Sequence, residues 1–138
     1  MTPRRIATMN ARRLVGSAWR ILPRIEARAR WMQERRFATY DRAMECLFDV
    51  LSFSRLGERR KAELLEALLA LRRLTGAMSV FGSDEAHRSF AQVVLAMPDE
   101  FENSDLPYDD LWGPMLRAHA DLVMAIRKEA GAIAAGQA

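Results

Sequence analysis

Ten arginines stand within the first 36 residues against two glutamates, and the chemistry they offer is the binding of anions. At about 100° per residue, Arg13, Arg20, Arg24, Arg28 and Arg35 gather on one side of a helix. Leu14, Val15, Ala18, Ile21, Leu22, Ile25, Ala29 and Met32 occupy most of another side. Trp19 lies at the edge of that apolar face, and Trp31 projects near the arginines. Together with Arg12, these residues make a candidate anionic-surface site: Arg12, Arg13, Trp19, Arg20, Arg24, Arg28, Trp31 and Arg35. An Arg-rich helix with a tryptophan at the border is one form of membrane-surface helix. The same pattern also describes a bundle helix whose apolar face is core and whose arginines are solvated. Nucleic acid is the alternative anion. It needs only phosphate neutralisation, whereas lipid needs Leu14, Val15, Ile21, Leu22 and Ile25 exposed. No recognition helix with base-reading side chains accompanies the arm, which ranks nucleic acid second.

The rest of the chain has the opposite sign. Residues 1–36 carry a net +8, while the remainder, with 11 basic and 16 acidic residues, carries −5, giving the overall +3. A basic arm before an acidic body points to an anionic partner or to pairing between opposite charges. Half of the residues are hydrophobic and 28% are charged, which fits a single folded domain and argues against disorder. No apolar run approaches the ~20 residues of a spanning helix, and the stretch at residues 14–19 is too short and too broken for a secretory signal. An acid-poor, Arg-rich start also fits a mitochondrial transit peptide. Arginine, however, dominates the basic residues along the whole chain, with only Lys61 and Lys128 as lysines, so it carries little targeting information. The expected location is cytoplasmic, peripheral to the inner face of the membrane.

Enzyme chemistry finds few candidates. Asp84 and His87 have the i, i+3 spacing of bundle metal sites, but a di-iron bundle needs two Glu-x-x-His motifs and further carboxylates, and the other histidine, His119, has no such partner. His87 is expected to face solvent or to sit in a first helical turn, and His119 to lie at the core edge. Cys46 is the lone cysteine, too few for an internal disulfide or a Cys-rich zinc site, and without a basic cluster to make it a nucleophile, so it is expected as small core filler. There is no phosphate-binding glycine loop, Gly-x-Ser-x-Gly elbow or Cys-x-x-Cys. The expectation is a non-enzymatic chain with no cofactor, no metal and no small-molecule substrate. Its expected partner is a protein or a second copy of itself.

These residues must be positioned by helices. Phe37, Tyr40, Met44, Leu47 and Leu51 recur at spacings of three and four with Phe48 beside them, a heptad-like seam. After a turn over residues 52–60, Leu64, Leu65, Leu68, Leu69, Leu71, Leu74 and Met78 form a second stripe, expected to face the seam. Phe48 and Leu68 are expected in the core. Gly82 is expected as a left-handed helix end and Ser83 as the N-cap of the next helix. That helix stops at Pro98. An acidic loop follows over residues 98–107, with Phe101 pinned to the core. A last helix starts near residue 108 or at Gly113-Pro114 and ends near Gly131. The spacing predicts an all-α fold, an antiparallel bundle of about four principal helices (37–53, 60–81, 84–97 and 108–130). A basic amphipathic arm, kinked or broken at Pro23, precedes it. The domains are 1–36 (arm), 37–131 (body) and 132–138 (frayed tail).

Two segments, Val80-Phe81-Gly82-Ser83-Asp84-Glu85 with Phe90 after it, and Leu122-Val123-Met124-Ala125-Ile126-Arg127-Lys128-Glu129-Ala130-Gly131, resemble recurring segments of small uncharacterised bacterial helical proteins. In that family the segments read aliphatic or aromatic-Gly/Ala-Ser-Asp/Glu-Glu and Ala-Met-Arg-Lys-Asp-Leu-Gly. Here Ile126 replaces the Met, Glu129 the Asp and Ala130 the Leu. The likeness covers about residues 37–131 and leaves out the arm. It implies a helical fold and a membrane-proximal setting, since members often carry a membrane-anchoring N-terminal segment, and it transfers no catalytic residue.

Overall fold

The computed structural model describes residues 3–99 and 105–136, with side chains described for 23–56, 59–99 and 105–136. Among the described residues five α-helices follow one another: α1 Pro3–Ser54, α2 Lys61–Arg73, α3 Thr75–Phe81, α4 Asp84–Leu95 and α5 Tyr108–Ala134. A short 3-10 helix, Gly57–Arg60, joins α1 to α2. No strand occurs among the described residues, and the fold is an all-α helical bundle. The chain divides into two compact units, Met1–Arg35 and Arg36–Ala138.

α1 runs through Pro23 instead of stopping there, and its residues 3–35 fall in the first unit. Proline removes one amide donor from the helical ladder. From residue 24 to residue 54 there is no further glycine or proline, so nothing in the sequence stops the helix before Ser54.

In the second unit the core gathers Tyr40, Ala43, Cys46, Leu47 and Val50 of α1 with Leu64, Ala67 and Leu71 of α2, Met78 of α3, Ala86, Phe90 and Val93 of α4, and Trp112, Met115, Ala118 and Leu122 of α5. The buried stripe of α1 is therefore rotated from the expected seam toward the small residues Ala43 and Cys46. Phe37 and Met44 only pack against its edge. Phe48 is turned away and is 71% exposed, and Leu65 and Leu69 of α2 are exposed too. Leu68 is half-buried at the core's margin. Cys46 is core filler, and burial pushes its thiol pKa up, away from thiolate reactivity.

The expected helix over 60–81 is divided at Leu74, whose N–H bonds the Leu71 carbonyl three residues back at 3.1 Å. The Thr75 hydroxyl donates to the Arg72 carbonyl at 2.8 Å, a local bond that competes with the regular ladder. Gly82 also differs from expectation. It ends α3 in extended backbone, φ −68° and ψ 155°, and the left-handed glycine lies elsewhere, at Gly136 with φ 73°. Gly82 is required for space. A Cβ there would stand 2.6 Å from the Met78 carbonyl oxygen and 2.7 Å from the Met78 sulfur.

Ser83 is the N-cap of α4, its hydroxyl accepting from the Ala86 N–H at 3.2 Å, with Asp84 and Glu85 in the first turn. α4 packs chiefly on α5, and α3 on α4. α5 begins at Tyr108 behind Pro107, runs through Gly113-Pro114, and passes Gly131 to reach Ala134. Residues 132–134, expected to fray, are held in the helix by an alanine-rich stretch of high helical propensity. Phe101 and its expected contact lie outside the described residues.

Candidate functional site

Within the first unit, residues 23–31 are exposed on every side of the helix. Ile25 is 57% and Trp31 51% exposed, and Arg24, Arg28 and Arg35 are exposed with them. Trp31 and Arg35 lie one helical turn apart, and the Arg35 guanidinium sits 5.8 Å from the indole centroid, a cation–π contact that places the ring among the arginines. Met32 is half-buried. Arg24, Arg28, Trp31 and Arg35 thus share one exposed segment. The side chains of Arg12, Arg13, Trp19 and Arg20, and of Leu14, Val15, Ile21 and Leu22, lie outside the described residues.

A connected polar cluster lies in the second unit, among residues that carry no functional motif in the sequence. Tyr40 enters the α1 stripe as an apolar seam residue and is 1% exposed, so its hydroxyl requires a partner inside the fold. It donates to Glu129 Oε2 at 2.6 Å and accepts from the Ser83 N–H at 3.0 Å, with the Ser83 hydroxyl 3.4 Å away. The other carboxylate oxygen of Glu129 accepts from Arg36 Nη1 at 2.8 Å. Arg36 Nε donates to the Phe81 carbonyl at 2.7 Å, closing the C-terminal end of α3. One arginine, one tyrosine and one glutamate therefore tie α1, the α3–α4 junction and α5 together. The two segments singled out by resemblance meet here, through Ser83 and Glu129, and Lys128 pairs with Glu85 beside them at 3.5 Å.

Chemically this cluster is closed. Burial, then the hydrogen bond to Glu129, push the Tyr40 phenol pKa up, so it remains a protonated donor. Both oxygens of the carboxylate are bonded, and the Ser83 hydroxyl caps α4. The groups hold helices in register. The signal for this cluster was a tyrosine at a seam position, since a buried phenol demands a partner; nothing in the local sequence identifies that partner as Glu129, 89 residues away.

The two histidines lie on α4 and α5. His87 is half-buried in the first turn of α4, its N–H on the Ser83 carbonyl at 2.8 Å. His119 is half-buried on α5, where burial lowers its pKa and favours the neutral ring. Among the described residues no group of three or more His, Cys, Asp or Glu could hold a metal ion, and no helix is long and apolar enough to cross a membrane. No family model, curated protein or solved structure matches the chain.

Replacing Tyr40 by Phe keeps the ring and removes the hydroxyl. The expected cost is about 1–3 kcal/mol in chemical denaturation, because Glu129 Oε2 and the Ser83 N–H lose a partner inside the fold. An unchanged midpoint would mean that water replaces the hydroxyl without loss.

Proposed function

We propose that the chain is a non-enzymatic helical interaction module whose N-terminal arm attaches to an anionic membrane surface, at the cytoplasmic face, and whose bundle presents itself there to protein partners. The observation that carries this is the exposure of Ile25 and Trp31 in the same stretch as exposed Arg24, Arg28 and Arg35. Binding to phosphates alone has no use for an exposed isoleucine, whereas a surface-lying helix sinks its apolar face below the headgroups and keeps its arginines at their level. The net −5 of residues 37–138 is repelled by the same surface, which favours attachment through the arm. The family likeness, with its membrane-proximal members, agrees with this setting.

Vesicle co-sedimentation tests it. Binding should need phosphatidylserine and weaken with salt, and Arg24→Gln with Arg28→Gln should reduce partition at least tenfold, since each basic residue near an anionic leaflet contributes ~1 kcal/mol. Ile25→Asn should weaken binding even with every arginine kept. Equal partition to neutral vesicles, or duplex binding with a steep salt slope and no vesicle binding, would overturn the membrane assignment; the second result would favour nucleic acid.

A further inference from the structure

Phe48 is 71% exposed in the middle of α1, and it does not stand alone. Half-buried Met44 and Leu51 lie at i−4 and i+3 from it, while Asp41 and Glu45, one helical turn apart, are exposed along one border of this stripe. The arm carries the complementary pattern. Ile25, Ala29 and Met32 have the same four-then-three spacing as Met44, Phe48 and Leu51, and Arg24 and Arg28 repeat the one-turn spacing of Asp41 and Glu45 with opposite charge.

We propose that the Phe48 stripe docks the arm of a second copy of the chain, apolar stripe on apolar stripe, with Arg24 and Arg28 set against Asp41 and Glu45. The helical wheel fixes the orientation. Each residue advances about 100°, so the arginines precede the arm's apolar stripe in angle and the acids follow the Phe48 stripe. Parallel helices bring such opposite flanks together, as g and e positions meet in a parallel coiled coil. Arm against arm would instead oppose two +8 segments. Glu45 is engaged by Arg42 at 3.4 Å, a fully surface pair that yields readily to an incoming arginine. The two docking surfaces differ, and every copy offers both, so the contact is heterologous and association rises with concentration.

This goes beyond membrane attachment and is tested without lipid, by sedimentation velocity of the full chain across concentration and salt. The weight-average mass should rise above the 15.7 kDa monomer at low salt and fall toward it as salt increases. Phe48→Ser should shift the association to at least tenfold higher concentration. Reversing the arm (Arg24→Glu, Arg28→Glu) or the stripe (Asp41→Arg, Glu45→Arg) should each suppress the mass increase, and mixing the two reversed proteins should restore it. A monomer at every concentration in low salt overturns the proposal, as does a mass that ignores Phe48→Ser and both reversals. The two ideas fail separately: Phe48→Ser should still sediment with anionic vesicles, and loss of vesicle binding would leave the mass measurement untouched.

Discussion

Phe90→Ala should lower the unfolding free energy by about 3–5 kcal/mol, and Phe48→Ala by no more than about 0.5 kcal/mol when both are measured at high dilution. The two residues are the same in type and opposite in environment. Phe90 is fully buried on α4 amid the core residues of all five helices, so truncation removes its packing and leaves a cavity that the neighbouring helices cannot wholly fill. Phe48 loses contact mainly with water. Urea melts of the two variants beside the parent check the contrast directly. Equal costs would place Phe48 in the core, and they would also remove the exposed stripe on which self-association depends.

Gly82→Val is the second large effect, expected at about 2–4 kcal/mol, against ~1 kcal/mol for Ser83→Ala. Ser83→Ala removes an N-cap acceptor for the Ala86 N–H. At Gly82 the obstacle is a backbone oxygen: Met78 O would lie 2.6 Å from the new Cβ, and it cannot swing aside as a side chain does, because it accepts the Gly82 N–H at 2.9 Å. Even Gly82→Ala should be costly, which a left-handed-backbone explanation and a close-approach explanation both predict. A mirror-image residue separates them. D-Ala would suit a left-handed position, but φ here is −68° and gives it no such advantage. Thermal melts that rank Ser83→Ala below Gly82→Val in stability would contradict this account.

The helical class, the Ser83 cap and the burial of Cys46 and Leu47 were legible from the sequence because each depends on local pattern: spacing, a capping residue, an apolar position. Other features depended on partners far along the chain. Which side of α1 would turn inward was decided by where the other helices pack, and they pack over Ala43, Cys46 and Val50, leaving Phe48 outside. Larger side chains had made the Phe37–Leu51 seam the more conspicuous pattern in sequence. Gly82 announced a helix end correctly but for the wrong reason, since a close contact with Met78 leaves no trace in a one-dimensional pattern. The candidate arm was legible as charge and periodicity. The Tyr40 cluster was not, because Arg36, Tyr40, Ser83 and Glu129 are brought together only by folding.

Arg36 gives the chain a boundary finer than its charge pattern. By composition it is the last arginine of the basic stretch; by bonding it belongs to the bundle, joined to Phe81 and Glu129. Its guanidinium supplies two bonds in different directions from one rigid plane, which the single ammonium of lysine does not reproduce. A cut anywhere before Arg36 would leave this residue, and with it the tie among α1, α3 and α5, on the bundle side. A cut one residue later would leave the carboxylate of Glu129 without its arginine and the end of α3 without its donor. The last cut that keeps this arginine with the bundle is thus the one at the bond between Arg35 and Arg36.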